Sequence, residues 1–497
     1  MKRWIILLHR YLGIPMSIVF VIWFISGIFM IYAGDMPALS ESERLIRKPA
    51  IDFDSVTLSP TEAAARAGID GEITEVTLAS LLGRPAYRLG RVFGRNATVY
   101  ADSGEIFEGA DSAAAAAAVA DFVAVAPTQV RFVETVHEPD QWTITEVGNL
   151  PLALFDVDDG RGTRAYFSME TGEVELLTTA SERALAWVGT IPHWFYFTPL
   201  RVNQPLWYWL VVWLSVAGCA LAVLGLVLAF TQFRRSRPFR LAASIRYRGW
   251  MRWHYYTGAL FGVFALTWVF SGLLSMEPFA WTNAQGMYLP RNDLEGGPLD
   301  LGRYRPEQPG VAAVIGGAAR QVELKRIQTE PYYVVAAPGP DGAIARTLID
   351  ATTMQVRREL YSAESILSEL EATVTEAAIA EHAVLESYDA YYYAREDELP
   401  LPVLRVKFDD PAETWAYFDL ATSSHLGSNH RLSRLERWLF NGLHSLDFSF
   451  WYGRRPLWDI GLITLSLGAL ATSSIGMYLG FRRLAGRADK KAQAAGN

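Results

Sequence analysis

Residues 9–32 read HRYLGIPMSIVFVIWFISGIFMIY, and this apolar stretch decides the fold because three comparable runs follow it along the 497-residue chain. The four runs are Leu12–Tyr32, Leu206–Phe230, Tyr255–Met276 and Leu457–Leu479. Each has about 20 or more residues, enough for a helix to cross a hydrocarbon layer about 30 Å thick. The first run is longer than the apolar core of a signal peptide, about 7–15 residues. We therefore expect a membrane protein with four transmembrane α-helices and a retained first helix.

The composition excludes several classes of site. The single cysteine, Cys219, rules out internal disulfides, a Cys-ligated zinc or iron–sulfur site and a C-x-x-C-H haem attachment. No glycine-rich dinucleotide or P-loop pattern stands between a plausible strand and helix, so we expect no nucleotide domain and no nucleic-acid partner.

The distribution of charge predicts the orientation. The connector 233–253 holds seven arginines and no acidic residue. Together with the basic N-terminus and the tail 482–497 it carries a net charge of +14. Because the whole chain has a net charge of −8, the remaining residues carry −22. Basic loops stay in the cytoplasm, which places both termini and the connector inside and two acidic segments outside a bacterial inner membrane. The connector could also hold an anionic cofactor, although topology alone explains it.

The chain repeats itself, which predicts a tandem duplication. The segment His9-Arg10-Tyr11-Leu12-Gly13 matches His254-Tyr255-Tyr256-Thr257-Gly258. In each copy a Trp and a Ser-Gly follow at the same distances from the histidine. The second parts of the two copies match at a constant offset of 251. Pairs related in this way include Trp187 and Trp438, His193 and His444, Trp207 and Trp458, and Gly225 and Gly476.

The segments between the spans have the pattern of α+β lobes. Thr98–Asp102 and Thr347–Asp350 are typical of strands that end in turns. The alanine-rich stretch Asp111–Val125 and the stretch Ala363–Leu385 are typical of helices.

Four of the eight histidines form two pairs at the predicted membrane boundaries: His9 with His254, and His193 with His444. Ionisable side chains at membrane depth are costly and indicate function. Each member of the second pair precedes the proline that opens its span by 12 residues, so it belongs to an interfacial segment or to a helix that begins earlier than hydropathy shows.

The residues that follow the first pair strengthen this interpretation. On a helix, positions 4, 14 and 18 after each histidine lie near its face. They are Gly13, Trp23 and Gly27 in the first copy and Gly258, Trp268 and Gly272 in the second. The glycines leave room for a flat macrocycle, and the last of them lies about 27 Å along the helix, level with the second pair. This row of residues suits two b-type haems, each bound by a pair of imidazoles. The tryptophans would pack against the cofactors or against each other.

The same residues also fit simpler structural roles. Small residues at this spacing pack helices closely in lipid, and an interfacial histidine can simply bond a carbonyl. Zinc or copper is less favoured, because no Cys, Asp or Glu accompanies the histidines at ligand spacing.

The sequence resembles the PepSY-associated transmembrane helix proteins, whose members include iron-regulated membrane proteins and haem-containing reductases of ferric siderophores. The resemblance rests on the repeated H-R-Y-L-G start with its Ser-Gly, on W-x5-H, and on Gly453–Asp459, GRRPLWD. The first copy of that last motif, Arg201–Trp207, lacks its Gly-Arg. The resemblance implies PepSY-like lobes in the periplasm, and it implies that the membrane histidines are His9, His193, His254 and His444.

The resulting fold class is four transmembrane α-helices with two periplasmic α+β (PepSY-like) lobes in a tandem internal duplication. The segments are helix 1 at 1–33, lobe A at 34–190, an interfacial segment and helix 2 at 191–232, the cytoplasmic connector at 233–253, helix 3 at 254–276, lobe B at 277–440, an interfacial segment and helix 4 at 441–481, and the cytoplasmic tail at 482–497.

The expected function is that of a di-haem inner-membrane reductase. His9 and His254 would ligate an inner haem b and His193 and His444 an outer one. Electrons would pass from an unidentified cytoplasmic donor to a periplasmic ferric siderophore or other Fe(III) chelate near the junction of membrane and lobes. No protein side chain is assigned a catalytic role, and the iron of each haem is the only metal expected. Two alternatives remain: a non-enzymatic membrane-anchored protein that binds peptides or modulates a protease, and an electron-transfer subunit for another periplasmic oxidoreductase.

Overall fold

The structure is a computed structural model. It describes residues 2–69, 71–91, 96–234, 244–282, 286–287, 289, 294, 297–307, 313–314, 317–394 and 399–495. The chain divides into two compact units, a helical unit of residues 1–36, 181–283 and 432–497 and a sheet unit of residues 37–180 and 284–431.

The described α-helices, in chain order, are α1 (Lys2–Ala33), α2 (Glu41–Arg47), α3 (Pro60–Arg66), α4 (Ser112–Val123), α5 (Ala180–Val188), α6 (Thr190–Trp194), α7 (Thr198–Arg201), α8 (Gln204–Gln232), α9 (Trp250–Ser275), α10 (Ala363–Thr373), α11 (Arg431–Arg437) and α12 (Leu457–Ala495). A π-helical turn, Trp438–Gly442, follows α11. Short 3₁₀ turns lie at Phe53–Ser55, Pro127–Gln129, Val147–Asn149, Pro278–Ala280 and Leu301–Arg303.

Four helices of the helical unit are long and apolar enough to cross a membrane, as the sequence predicts. They cover Arg3–Ala33, Gln204–Gln232, Trp250–Ser275 and Leu457–Ala485. The helices begin or end beyond the apolar runs because polar and aromatic residues at the ends continue the helix. As a result His9 lies in the second turn of α1 and not at its start.

The four long helices pack in a ring. Helix α1 packs against α8 and α12, and α9 packs against the same two helices, so that α1 and α9 face each other across the bundle. Small residues allow the close approach that lipid-embedded helices need. A methyl group added at Gly218 of α8, for example, would lie 2.8 Å from Cγ1 of Val269 on α9.

The core of this bundle is aromatic between its two ends. Phe20 and Phe24 of α1 and Trp268 of α9 are buried there. The Phe24 and Trp268 rings have centroids 5.9 Å apart. This layer separates the two groups of histidines described below.

The strands of the sheet unit are β1 (Glu75–Leu81), β2 (Arg84–Gly90), β3 (Ala97–Tyr100), β4 (Val130–Val136), β5 (Leu152–Val157), β6 (Thr163–Ser168), β7 (Glu173–Thr178), β8 (Gln321–Ile327), β9 (Glu330–Pro338), β10 (Ile344–Asp350), β11 (Val356–Arg357), β12 (Ile379–Leu385), β13 (Val403–Phe408), β14 (Trp415–Asp419) and β15 (His425–Asn429). They form one seven-stranded sheet in the order β11-β10-β9-β8-β1-β2-β3 and two four-stranded sheets, β4-β5-β6-β7 and β12-β13-β14-β15. All the pairings are antiparallel.

The seven-stranded sheet joins the two halves of the chain. Strand β1 pairs with β8, with Val76 opposite Leu324, and both side chains are fully buried in one core. The sequence predicts two separate lobes and does not reveal a shared sheet, because strand pairing over such a separation leaves no local pattern.

Each four-stranded sheet is covered by one helix. Val119 of α4 packs with Phe155 and Phe167 of the first sheet, and Leu370 of α10 packs with Leu404 and Phe418 of the second. The predicted helix Asp111–Val125 is confirmed as α4, with Asp111 capping it by accepting a bond from the Ala114 amide. The predicted strand at 347–350 is confirmed within β10, and the one at 98–102 is confirmed as far as Tyr100, where β3 ends and a turn begins.

The predicted helix Ala363–Leu385 is wrong in its second part. Helix α10 ends at Thr373, and Ile379–Leu385 forms strand β12. This strand pairs with β13, with Leu385 opposite Val403. Pairing with a buried neighbour outweighs the helix preference of its alanines, since propensity is a weak influence compared with tertiary context.

Candidate functional site

The first histidine pair, His9 and His254, lies on the facing helices α1 and α9. The two ring centroids are 6.3 Å apart. The Nδ1 atom of His9 lies 3.3 Å from the carbonyl oxygen of Leu221 on α8, and that of His254 lies 3.1 Å from the carbonyl oxygen of Thr472 on α12. Because a carbonyl oxygen only accepts, Nδ1 carries the hydrogen in both rings and Nε2 keeps its lone pair.

Two glycines allow these rings to reach the helix backbone. Gly225 and Gly476 each stand four residues after the carbonyl that the histidine contacts. A methyl group added at either glycine would lie 3.1 Å from Cε1 of His9 or His254, respectively. Ordinary carbon contacts are about 3.5–4.0 Å, so any larger residue would push the imidazole away.

The second histidine pair, His193 and His444, comes from outside the long helices. His193 lies in the short helix α6, and His444 follows the π-helical turn, so neither belongs to a long helix that begins earlier than hydropathy shows. The location of these segments at the membrane interface stays a prediction. Their ring centroids are 6.0 Å apart. Nδ1 of His193 lies 3.0 Å from Oγ of Ser26 on α1, and Nδ1 of His444 lies 2.9 Å from Oγ of Ser271 on α9.

The glycine of each Ser-Gly dipeptide lies directly beside one imidazole ring of the second histidine pair. A methyl group added at Gly27 would lie 3.3 Å from Cε1 of His193, and one at Gly272 would lie 3.6 Å from Cε1 of His444. The Ser-Gly dipeptide therefore supplies both a hydrogen-bonding partner and the space for the ring.

Two tryptophan side chains fix the backbone beside the second pair. The indole N–H of Trp207 donates to the carbonyl of Trp194, 2.8 Å away, and that of Trp458 donates to the carbonyl of Ser445 at 3.0 Å. The two acceptors belong to the residues directly after His193 and His444. The Pro-Leu-Trp motif that opens each span thus holds the histidine segment in place.

A cavity of about 730 Å³ opens at the first pair. Its lining includes His9, His254, Gly13, Gly258 and Gly262. The remaining lining is apolar apart from a few polar groups and Arg10, Arg482 and Arg483. Its size lies within the range of about 300–1,000 Å³ typical of cofactor pockets. Its arginines could bind the anionic edge of a cofactor.

The spacing of both pairs fits two imidazoles bound to one metal ion. An imidazole nitrogen binds a metal at about 2.0–2.1 Å, so the centroids of two rings that share one ion on opposite sides would lie on the order of 6 Å apart. The measured separations are 6.3 and 6.0 Å. All four Nδ1 atoms contact a carbonyl or hydroxyl oxygen, which is the usual arrangement behind a metal-binding Nε2.

The pairs offer two ligands each and no more. Among the residues that the structure describes, no group of three or more His, Cys, Asp or Glu side chains could hold a metal ion. A pair of imidazoles could hold a macrocycle that supplies the other metal ligands itself, as haem does. The residues present therefore fit the expected haem, and its binding stays a prediction.

The remaining predicted residues, Trp23 and Trp268, lie between the two pairs and pack against phenylalanines. The Trp23 ring has its centroid 6.0 Å from that of Phe195, and the Trp268 ring lies near Phe24 and Phe264. Their contact with a cofactor stays a prediction.

The other four histidines belong to the sheet unit. His137 and His382 are exposed, and His425 bonds the Ser428 hydroxyl at 2.9 Å. His430 lies beside Gly286. They do not join either pair.

Sequence reasoning missed several groups that position the histidines. They are the carbonyls of Leu221 and Thr472, the glycines Gly225 and Gly476, and the indoles of Trp207 and Trp458. The glycines and tryptophans were visible as matched positions at the offset of 251, and this match was the available signal. Nothing in the sequence marks a backbone carbonyl.

Comparison with known families gives one match. The family described as PepSY-associated TM region matches residues 6–325, more than half of the chain and including His9, His193 and His254. No curated protein matches the chain.

Proposed function

This chain belongs to the PepSY-associated TM region family, and from that premise we propose that it is a di-haem electron conduit of the bacterial inner membrane. The observation that carries the proposal is the meeting of His9 with His254 and of His193 with His444, whose ring centroids are 6.3 and 6.0 Å apart, so that each pair could hold one haem. Haem, when bound, supplies a one-electron carrier at each pair.

The residues of the first pair would take electrons on the cytoplasmic side. The basic connector and tail support a cytoplasmic location for this end of the helices, by the positive-inside rule. Arg10, Arg482 and Arg483 at the cavity would hold the anionic edge of the cofactor. The glycines Gly13 and Gly258 keep the cavity open beside the helices.

The second pair would pass electrons to a ferric chelate on the periplasmic side, which is the ferric siderophore reductase activity that the family resemblance implies. Reduction to Fe(II) weakens the grip of a hard-oxygen chelate and releases the metal. The charge of −22 outside the cytoplasmic segments favours cationic over anionic chelates.

We also propose that the two halves arose by duplication. Strands β5 and β13 and helices α4 and α10 begin 251 residues apart, and so do the two histidine-bonding carbonyls of Leu221 and Thr472. These correspondences support two PepSY-like halves, each with its own α+β part.

The test is haem quantification with oxidised and reduced visible spectra of the detergent-purified protein. We expect two low-spin b-type haems per chain. His9→Ala and His193→Ala should each leave one, and His382→Ala, an exposed histidine of the sheet unit, should leave both. Haem-free protein despite ample haem supply would refute the proposal and favour the peptide-binding alternative.

The substrate is tested separately by mixing the reduced protein with ferric hydroxamate and ferric catecholate chelates. Rapid reoxidation with release of Fe(II) supports the reductase. Two haems that no chelate reoxidises would favour an electron-transfer subunit for another oxidoreductase, which a partner pulldown would identify.

A further inference from the structure

The backbone turns sharply after each histidine of the second pair. The second residue after the histidine is Phe195 in the first copy and Leu446 in the second, and their φ angles are +55° and +51°. Few residues other than glycine adopt such angles, and they persist only where the surrounding structure holds them. Contacts from neighbouring side chains must therefore hold the segment that follows each histidine.

In the second copy a buried ion pair holds this segment. Arg437, seven residues before His444, donates to the backbone carbonyl of Asp447 at 2.9 Å and to its carboxylate at 3.2 Å. The amide of Asp447 donates in turn to the Asn441 carbonyl at 3.2 Å. Because one guanidinium bonds both the backbone and the side chain of Asp447, it closes the loop that carries His444.

In the first copy the same position is held by different chemistry. Tyr196 stands where Asp447 stands in the second copy, at the offset of 251. The guanidinium carbon of Arg201 lies 5.1 Å from the centroid of the Tyr196 ring and 4.6 Å from that of Trp207. A cation–π contact therefore takes the place of the ion pair.

The two arginines are not related by the duplication. The residue that matches Arg437 is Ala186, and the residue that matches Arg201 is Tyr452. One arginine precedes its histidine in the chain and the other follows it. Two unrelated arginines that contact the third residue after a histidine indicate that this residue has to be held in place.

The ion pair of the second copy depends on both of its members. The Arg437 and Asp447 side chains are only 9% and 2% exposed, and loss of one member of a buried pair leaves the other charge uncompensated. Lysine would keep the positive charge but not the planar fork that bonds two oxygens at once. A change at either residue should therefore release the segment that carries His444.

We propose that Arg437 and Asp447 are positioning residues, which hold His444 in the orientation that the second site requires. They act through the backbone that joins Asp447 to His444. The inference rests on the proposed function, since its readout is a haem at the second pair.

The experiment is a titration of haem into the full-length apoprotein in detergent, followed by an electron paramagnetic resonance spectrum of the oxidised product. The signal of a low-spin ferric haem reports the relative orientation of its two imidazole planes. Asp447→Asn and Arg437→Lys should each weaken haem binding at the second site by about 10–100-fold, as loss of an outer partner of a metal ligand does. Each should also shift the signal of the second haem and leave the first haem unchanged.

A buried ion pair elsewhere in the chain provides the matched control. Glu173 pairs with Lys48 in the sheet unit, so Glu173→Gln removes the same kind of charge from a buried pair that is remote from His444 in sequence and belongs to the other unit. Both haems should keep their wild-type affinity and signals in this variant, even if it lowers the melting temperature.

The proposal is overturned if the second haem keeps its wild-type affinity and signal in Arg437→Lys, or if that variant loses both haems together, which would show a general effect on the bundle. Wild-type behaviour of the second haem in Asp447→Asn overturns it as well. If Asp447→Asn does not fold, Arg437→Lys decides alone, because it keeps a positive charge opposite Asp447. A wild-type protein without haem would instead refute the proposed function, so the two failures are distinguishable.

Discussion

Replacement of Gly225 by alanine is the sharpest test of the first histidine pair. The added methyl group would lie 3.1 Å from Cε1 of His9, and about 0.5 Å of movement is needed to reach ordinary contact. That movement lengthens the bond from His9 to the Leu221 carbonyl from 3.3 Å to about 3.8 Å, beyond hydrogen-bonding range. Loss of such a supporting bond lowers metal affinity about 10–100-fold, or by about 1.4–2.7 kcal/mol.

The assay is a titration of haem into the apoprotein, in which the amplitude of the absorbance change at the first site is measured. Gly225→Ala should weaken that site by one to two orders of magnitude and leave the second site intact. Gly476→Ala should do the same through His254. Val223→Ala, on the outward face of the same helix and 46% exposed, is the matched control and should bind as the wild type does.

Helix stability cannot explain the expected loss. Alanine is the better helix former by about 1 kcal/mol, so a general effect on α8 would favour the variant. Wild-type affinity at the first site in both glycine variants would refute the reasoning that these glycines exist to admit the imidazoles.

Four further predictions concern stability. Burial raises the pKa of Glu173, but Lys48 and neighbouring arginines lower it more, from an ordinary 4.5 to about 2. Ionised Glu173 should therefore stabilise the fold above pH 4.5, and this stabilisation should be lost as the pH falls toward 2, which acid unfolding followed by circular dichroism would show. Glu173→Gln leaves the Lys48 ammonium, 8% exposed, without its buried partner and should lower the free energy of unfolding by about 3–5 kcal/mol; an unchanged denaturation midpoint would contradict this. Gly218→Ala places a methyl group 2.8 Å from Val269 and should destabilise the helical unit by about 1–3 kcal/mol, seen as a lower melting temperature in detergent. Phe155→Ala, at a fully buried site of the sheet unit, should cost about 3–5 kcal/mol, and a change below 1 kcal/mol would show that the cavity refills.

The four membrane helices were predictable because lipid imposes a length and a composition on any spanning helix. The histidine pairs followed from matched positions in two copies of one pattern. Their meeting across the bundle required the packing of α1 and α9 against shared neighbours, which hydropathy does not encode. The position of His193 and His444 beyond the long helices left two possibilities that only the structure separates.

The sheet unit was less predictable because its decisive contacts are distant in sequence. Ile379–Leu385 has alanines and a glutamate that favour helix, and only β13 beside it makes it a strand. The pairing of Val76 with Leu324 has no local signal at all. At the site, the bonds to Leu221 and Thr472 use backbone atoms that every residue possesses, so no side-chain pattern could have identified them.

The shared sheet has a consequence for biosynthesis. Strand β1 ends at Leu81, and its partner β8 ends at Ile327, so at about 5–20 residues per second the ribosome needs roughly 12–50 s to supply the missing neighbour. During that interval the second and third membrane helices must be inserted. The edge of β1 that later pairs with β8 stays unpaired meanwhile, and an unpaired strand edge promotes aggregation. The first half of this protein is therefore a natural client for a holding chaperone, and a truncated first half should precipitate where the whole chain folds.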